Sequence, residues 1–337
     1  MRKVFSVSIG LFLGAVSFGS AQAEVLPVDG IYPAGIDAAI PVERIAIDSF
    51  DGDSGTALSF AITDALQAVV IDGQPWFQVV PSTGGAAGSI YIIESDQKGG
   101  GSARTVEVDP GFDAVLRGTA SYSVSDVRVD DRKRTKCVRK DDKGKCVEEK
   151  VTLIECRSMT VNFNPNIRLI GTDGALIHQD RASDSRSQKF CADDYNQPTV
   201  ESLLDPMIAG FAQRVRDALA PRQLGQQIRV LESRKNMASG AKGPFRDAVR
   251  LTKNDPLGAC MAFKALETVD PENASILFNI GLCFEGEGEL DTAADYYRHA
   301  LEVDPGPSYA TDGLTRISDR FRAFDQLQLR DNLRVEE

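Results

Sequence analysis

The sequence predicts an α+β fold, in which a mostly antiparallel sheet covered by helices precedes a short helical array. Segments with strand-like alternation dominate the first two thirds of the 337-residue chain, with one helical segment near each end. Beyond residue 236 the apolar residues recur only at helical spacing. The length and this change of pattern indicate two domains, residues 24–235 and 236–325. A signal peptide at 1–23 and a tail at 326–337 complete the predicted organisation.

Residues 1–23 have the composition of a secretory signal peptide. Arg2 and Lys3 precede an apolar run over residues 4–18, and an A-x-A cleavage motif ends at Ala23. The run is too short to span a membrane. No cysteine near the cleavage motif could carry a lipid anchor. We therefore expect an exported protein, cleaved after Ala23, that is soluble and periplasmic in a Gram-negative bacterium.

The first domain is predicted from changes between strand-like and helix-like spacing. A strand that ends in Phe50 leads through the polar turn at 51–55 into a helix whose apolar residues recur every three to four positions. Asp173-Gly174 is a hairpin signal between two later strands. The predicted strands are 44–50, 76–80, 89–94, 114–129, 151–163, 166–179 and 227–231. The predicted helices are 56–71 and 199–219.

The chain has six cysteines, all of them after the signal peptide. An even number in an oxidising compartment favours disulfide bonds, although the sequence alone does not fix the pairing. Cys137 and Cys146 flank a short charged segment and would face each other across a hairpin. A zinc site is the rival interpretation, but the first four cysteines contain no C-x-x-C spacing and His178 is the only histidine near them. We expect no metal and no cofactor.

The segment 132–150 around the first cysteine pair is strongly basic. It holds nine basic and four acidic residues, whereas the whole chain has a net charge of −11. The segment is either a solvated hairpin tip or an electrostatic contact with a partner. It has no interleaved aromatic residues, and the chain is acidic, so the sequence argues against nucleic acid and anionic membranes as partners.

Residues 273–307 have a spacing that is typical of one architecture. Small, aromatic and proline residues fall at fixed offsets, namely Gly281, Ala293, Tyr297, Ala300 and Pro305. This pattern resembles the tetratricopeptide (TPR) repeat, two antiparallel helices in about 34 residues. One repeat length upstream, Ala259, Phe263, Leu266 and Pro271 fall in register. Helices bearing Cys260 and Cys283 pack together in that family, so the resemblance implies this disulfide and leaves Cys156 with Cys191.

The TPR resemblance also implies a binding groove for a protein or peptide partner, because the first helix of each repeat lines a concave surface. The groove positions of the family correspond to Ser275, Phe278, Leu282 and Glu285 in the clear repeat and to Ala248 and Leu251 in the degenerate one. An alternative remains open. Phe278 and Leu282 would then pack against a predicted helix at 308–321, or serve self-association.

The first domain has a resemblance of its own. The run "RIAIDSFDGDSGTALSFAITDALQAVVIDGQPWFQVV" is similar to the opening of the curli-secretion (CsgG-like) and TolB amino-terminal group of envelope proteins. The runs "DAVLRGTASYSVSDVRV" and "VNFNPNIRLIGTDGALIHQDRAS" resemble the middle strands of that group. The resemblance covers residues 42–220. Curli-channel proteins are usually lipoproteins, and this chain departs from them by its plain cleavage motif.

No constellation in the sequence indicates an enzyme. The string Gly52-Asp53-Ser54-Gly55 occurs around the nucleophile of trypsin-like proteases, but that chemistry needs a histidine base, and neither of the two histidines lies in a matching motif. We expect no catalytic residues. The sequence predicts a non-enzymatic interaction or scaffold protein of the bacterial cell envelope. The alternative is a component of an outer-membrane curli-type secretion channel.

Overall fold

A computed structural model describes residues 24–81, 90–95, 101–106, 111–306 and 308–336. The predicted signal peptide and its cleavage site lie outside the described residues. The predicted α+β class is confirmed, because the described residues form seven α-helices and a mostly antiparallel open sheet. The contacts between residues divide the chain into two compact units. The helical unit comprises residues 24–29 and 225–317, and the sheet unit comprises 30–224 and 318–336.

The strands are β1 (Val25–Tyr32), β2 (Arg44–Ile47), β3 (Val70–Ile71), β4 (Gln74–Pro75), β5 (Gln78–Pro81), β6 (Ile90–Ser95), β7 (Gly101–Val106), β8 (Ala114–Lys140), β9 (Cys146–Gly171), β10 (Leu176–Arg181), β11 (Asp184–Cys191) and β12 (Arg222–Arg229). The helices are α1 (Gly55–Gln67), α2 (Val200–Leu219), α3 (Lys242–Leu251), α4 (Pro256–Leu266), α5 (Ala274–Glu287), α6 (Leu290–Val303) and α7 (Tyr309–Glu336). The division between the units falls within β1, β12 and α7.

The main sheet of the sheet unit has six strands. Its order is β10-β9-β8-β2-β5, and β11 also pairs with β9. β2 runs parallel to both β5 and β8, whereas the pairs of β9 with β8, β10 and β11 are antiparallel. β8 and β9 have 27 and 26 residues and form one long hairpin. Three smaller two-stranded sheets pair β1 with β12, β3 with β4, and β6 with β7.

The core of the sheet unit lies between the main sheet and helices α1 and α2. The apolar face of α1 is fully buried at Leu58, Ile62 and Leu66. On α2, the ring of Phe211 meets Phe163 of β9 edge-on at 6.5 Å between ring centroids. α2 begins at a capping box, in which the Thr199 hydroxyl accepts a hydrogen bond from the backbone N–H of Ser202.

Several strand and helix boundaries differ from the sequence-based predictions. The helix predicted at 56–71 ends at Gln67, and residues 70–71 form β3. The strands predicted at 151–163 and 166–179 were divided at the wrong place, because β9 continues through Pro165 to Gly171. Pro165 lies between the part of β9 that pairs with β10 and the part that pairs with β11, where its lack of an N–H is tolerated. β1 and β11 were not predicted as strands.

The helical unit contains α3 to α6, the first part of α7, and the adjoining ends of β1 and β12. Asp255 caps α4 by accepting from the backbone N–H of Gly258 at 2.8 Å, and Pro256 occupies the first turn. Asn273 caps α5 in the same way. α5 ends at Gly288, which has a φ of +84° and leads into α6 after one further residue. These short connections favour antiparallel packing of consecutive helices.

Three disulfides link the six cysteines as Cys137–Cys146, Cys156–Cys191 and Cys260–Cys283. These are the pairs expected from the hairpin around Cys137 and Cys146 and from the TPR resemblance. The first closes the tip of the β8–β9 hairpin, the second joins β9 to the end of β11, and the third joins α4 to α5. Three disulfides indicate a protein that folds in an oxidising compartment. None of the helices in the described part of the chain is long and apolar enough to cross a membrane.

The C-terminal helix is longer than the sequence indicates. A helix was predicted at 308–321, followed by a tail from residue 326, whereas α7 runs without interruption from Tyr309 to Glu336. Its second half is anchored in the sheet unit. Arg330 is almost fully buried and donates hydrogen bonds to the backbone carbonyl oxygens of Ile40, Val42 and Trp76.

Candidate protein-interaction site

The residues that the sequence assigns to a groove are mostly buried inside the helical unit. Five of the six have little or no exposed surface, and they are Ser275, Phe278, Leu282, Glu285 and Ala248. Leu251, at the end of α3, is the exception and is exposed. The structure therefore brings the four α5 residues onto one helix, but it leaves no open groove above Phe278 and Glu285.

The first turns of α7 cover this face of α5. The ring of Tyr309 lies 6.2 Å from that of Phe278, edge-on, and Tyr297 of α6 approaches Phe278 from the other side at 5.4 Å. Farther along, Arg316 of α7 forms an ion pair with Glu285. Tyr309 and Arg316 are seven residues apart and so lie on one face of α7. The predicted alternative, in which Phe278 packs against the helix that follows the repeats, matches this arrangement.

Glu285 is the centre of a buried polar cluster. Its carboxylate accepts hydrogen bonds from the Tyr297 hydroxyl at 2.6 Å and from the Arg316 guanidinium at 2.7 and 2.8 Å. Burial, together with the negative charge of Glu285, raises the pKa of Tyr297 above its ordinary value, while Arg316 acts in the opposite direction. Because these donors already hydrogen-bond to the buried carboxylate, Glu285 stabilises the fold and is not available to bind a partner.

The TPR-type structural positions lie where α5 and α6 meet. Gly281 faces Tyr297 so closely that a Cβ atom on Gly281 would lie 2.9 Å from two ring carbons. Ala293, Tyr297 and Ala300 are buried along α6. Pro305 follows the end of α6 at Val303 and is exposed. A small residue on α5 therefore permits a large ring on α6 to fill the space between the helices.

An apolar crevice remains accessible on the other side of α5. Its volume is about 170 Å³, and it lies between the start of β1 and helices α4 and α5. The lining residues are Leu26, Pro27, Pro256, Leu257, Cys260, Leu282, Cys283, Gly286 and Glu287. Gly286 permits the close approach of β1, since a Cβ there would lie 2.9 Å from the Pro27 carbonyl oxygen. Of the predicted groove residues, Leu282 contributes to this crevice.

Two large apolar side chains on α4 extend the crevice into solvent. Leu257 is 68% exposed and Met261 is 66% exposed. They are four residues apart and thus adjacent on the helix surface. Exposed Leu and Met side chains beside an apolar crevice are typical of a surface that binds another protein. Neither residue was predicted as functional from the sequence, although a signal was present, because both are large apolar residues of α4 that lie off its buried face.

A second cleft, lined by both polar and apolar residues, lies at the start of α5. It has a volume of about 420 Å³ and is lined by Leu231, Ser233, Lys235, Asn236, Glu272, Asn273, Ala274, Ser275, Val303, Asp304 and Tyr309. Ser275 is the predicted groove residue in this cleft. Nearby, the Asn279 side chain bonds both the N–H and the carbonyl oxygen of Leu231, at 2.8 and 2.9 Å. These two hydrogen bonds hold the segment after β12 against α5.

The predicted hairpin tip is confirmed as an exposed feature of the sheet unit. β11 accompanies β9 only as far as the Cys156–Cys191 bond, so residues 130–155 form a two-stranded arm, here called the hairpin arm. Each strand of the arm has about twelve residues, which corresponds to roughly 40 Å. At the tip, the Asp141 carboxylate accepts from the backbone N–H groups of Lys143 and Lys145. Gly144, with a φ of +79°, completes the turn.

Comparison with known proteins adds little to this geometry. No family model and no curated protein matches the chain. Among solved structures, the chain is similar to a neuraminyllactose-binding hemagglutinin homolog from Helicobacter pylori, with a TM-score of 0.24 and 11% sequence identity. That likeness covers 51% of this chain and 78% of the other. A TM-score this low supports no conclusion about fold or function.

Proposed function

We propose that this protein is an exported, non-enzymatic interaction or scaffold protein of the bacterial cell envelope, and that α3 to α6 form a short TPR-like array. The proposed location is the periplasm, reached through cleavage after Ala23. Three disulfides, which require an oxidising compartment, support export. The short loops between consecutive helices and the close contact of Gly281 with Tyr297 support the TPR-like array.

The apolar crevice beside α4 is the observation that carries this proposal. Leu257 lines a recess that an apolar side chain can enter, and Met261, one turn farther along α4, exposes a second large apolar side chain next to Leu257. The partner that fits is a peptide segment or helix with one large apolar anchor residue. Such an anchor would displace water from the recess, as the central residues of protein interfaces do.

The occupied face of α5 supports the same class of function. It holds a helix of the same chain through an aromatic contact at Phe278 and an ion pair at Glu285. Helical proteins often bind a partner helix in the same way, through anchor residues spaced along one face of that helix. In this chain the face is filled by α7, so the partner is expected at the crevice and not at the predicted groove.

Photocrosslinking in intact cells tests the proposal. A photoreactive amino acid placed at residue 253 or 264, on either side of the exposed pair, should capture a specific envelope protein. The variants Leu257→Glu and Met261→Glu should abolish this capture, because a charge beside the crevice opposes entry of an apolar side chain. Both residues are exposed, so the fold should tolerate the changes. Phe278 and Leu282 are unsuitable for this test, because they are buried and a polar substitution would destabilise the core.

Phe60 provides the matched control. It is an apolar residue of α1 in the sheet unit and is 64% exposed, similar to Leu257. The variant Phe60→Glu should leave the captured partner unchanged. If the wild-type protein captures no partner, or if the α4 variants capture the same partners as the wild type, the proposed interaction surface is wrong.

A further inference from the structure

The hairpin arm holds a set of lysines that form no ion pair within the part of the chain that the structure describes. Arg132 and Arg134 at its base pair with Asp193 and Asp194, and Arg139 pairs with Glu148. The remaining basic residues are exposed and have no ion-pair partner among the described residues. They are Lys133, Lys136, Lys140, Lys143, Lys145 and Lys150. All of these lysines except Lys133, which lies near the base, occupy the outer half of the arm.

Two of these lysines are placed unfavourably for an isolated arm. Lys136 and Lys150 lie directly opposite each other on β8 and β9. Like charges at directly opposed positions of an antiparallel pair repel and destabilise it. Glu148, two residues before Lys150 and on the same face of β9, is already paired with Arg139. An external negative surface would remove this repulsion.

The arm also exposes apolar side chains next to its charges. Val151 and Leu153 alternate along β9 and therefore point to the same face, where they are 57% and 60% exposed. Val138 and Val147 are similarly exposed near the tip. A solvated tip has no need of four large apolar residues. The combination is suited to a protein surface that supplies both carboxylates and apolar contact.

The rest of the same chain supplies such a surface. Residues 132–150 have a net charge of +5, so the remainder of the chain, at −11 − 5, has −16. The segment 267–304 is the most one-sided part, with ten acidic residues and one basic residue. On α6, Asp291, Asp295 and Glu302 are exposed and recur at four and seven residues, which places them on one helix face. Arg298 lies on the same face and pairs with Asp295, so these four side chains together carry a net charge of −2.

We propose that the hairpin arm of one molecule binds the acidic face of α6 in a second copy of the same chain. Lys136, Lys150 and the tip lysines would then approach Asp291, Asp295 and Glu302 of that copy. The contact joins two different surfaces and is therefore heterologous, so it can extend head to tail or close into a ring. It is independent of the crevice beside α4, and a failure of either assignment leaves the other unaffected.

Sedimentation velocity of the purified, disulfide-intact chain tests the contact. Screening lengths fall from about 10 Å at 0.1 M salt to about 3 Å at 1 M, so the wild type should self-associate at the lower and dissociate at the higher concentration. The arm variant Lys136→Glu/Lys150→Glu should weaken association at least about tenfold. The α6 variant Asp295→Lys/Glu302→Lys should weaken it to a similar extent.

The decisive measurement is a mixture of the two variants. Each fails alone, but the reversed arm of one complements the reversed α6 face of the other, so mixing should restore larger species. The control variant Lys235→Glu/Lys242→Glu makes the same change of charge at exposed lysines outside the arm and should associate like the wild type. Circular dichroism and the mass of the oxidised protein confirm that each variant is folded.

Any one of four results would overturn the contact. A wild type that stays monomeric at low salt has no such interface. Loss of association in the arm variant alone would mean that the arm binds something other than α6. Failure of the mixture to associate would mean that the two variants disrupt association for separate reasons. If the arm variant instead loses affinity for vesicles containing anionic lipid while its self-association is unchanged, the partner is a membrane and not a second copy.

Discussion

Arg316 donates hydrogen bonds from Nε and Nη2 to the fully buried carboxylate of Glu285. This pair joins the start of α7 to α5 inside the helical unit. Because the carboxylate has no access to water, its charge depends on Arg316 and on the Tyr297 hydroxyl for stabilisation. The pair is therefore a sensitive probe of whether α7 covers the α5 face.

The substitution Glu285→Gln should lower the free energy of unfolding by about 3 kcal/mol, because it leaves a largely buried guanidinium without its counter-charge. Urea titration followed by circular dichroism measures the change. Glu287→Gln is the control: Glu287 lies two residues along the same helix and forms an exposed pair with Lys264, so its loss should change stability by less than about 1 kcal/mol. Equal effects would show that α7 does not cover Glu285.

Gly281→Ala and Gly210→Ala should have effects of opposite sign. In α5, a Cβ on Gly281 would lie 2.9 Å from carbon atoms of the buried Tyr297 ring, which cannot move away. We expect a loss of about 1–3 kcal/mol from this overpacking. In α2, Gly210 has no atom within 4 Å of the added Cβ, so alanine should stabilise that helix by about 0.5–1 kcal/mol. Thermal unfolding of both variants gives the comparison, and stabilisation by Gly281→Ala would contradict the close contact.

Arg330→Met should detach the second half of α7 from the sheet unit. The guanidinium donates to three backbone carbonyl oxygens and lies over the ring of Trp76, 4.5 Å from its centroid. Its removal leaves those acceptors buried and unpaired, at about 1–3 kcal/mol each. Faster hydrogen exchange over residues 318–336 and a red shift of tryptophan emission should follow, since Trp76 is the only tryptophan.

Arg334→Met is the matched control for that experiment. Arg334 lies one turn farther along α7, is partly exposed and pairs with Glu43. Its loss should change the unfolding free energy by less than about 1 kcal/mol and leave tryptophan emission unchanged. An emission shift in both variants would mean that the helix end, and not Arg330, determines the environment of Trp76.

His178 of β10 should make the protein less stable as the solution becomes acidic. Burial lowers the pKa of His178, although Asp180 acts in the opposite direction, and its Nε2 has no hydrogen-bond partner among the described residues. Because the folded-state pKa lies below the unfolded value of about 6.5, the unfolded chain binds more protons as the pH falls through that range. The stability present above pH 6.5 should therefore decline below it.

Two measurements check the behaviour of His178. Proton NMR should give a titration midpoint below 6.5 for the histidine signal that disappears in His178→Gln. The same variant should lose less stability than the wild type between pH 7 and pH 5. A midpoint at or above 6.5 would show that the ring is hydrated and not buried.

The presence of two helices within residues 273–307 could be predicted from the sequence because the signals are local, although their bounds were not predicted. The Asn273 cap, the left-handed Gly288 and the small residue at Gly281 each act within a few positions along the chain. The disulfide across the hairpin tip was similarly accessible, since Cys137 and Cys146 flank a short turn. Each of these features is formed by residues that are close together in the chain, so a local sequence pattern is enough to predict it.

The burial of the predicted groove could not be predicted in the same way. Phe278 and Glu285 have the residue types expected of a groove, and their burial depends on which distant segment covers them. That segment, around Tyr309 and Arg316, lies in the helix predicted at 308–321, which the sequence offered only as one of two alternatives for Phe278. The outer part of β8 and β9 was missed as strand for a different reason. Both of its faces meet solvent, so it lacks the alternation that marks a half-buried strand.

Each unit draws on residues that are distant in the chain, and this has a consequence for the order of folding during synthesis. The sheet unit needs Arg330, and the helical unit joins residues 24–29 to residues 225–317. A ribosome delivers the chain from the N-terminus, so neither unit can finish folding until nearly the whole polypeptide has emerged. Such a chain stays open for longer than one whose domains form in succession. That delay is compatible with the export proposed above, because a translocation pore accepts only unfolded polypeptide.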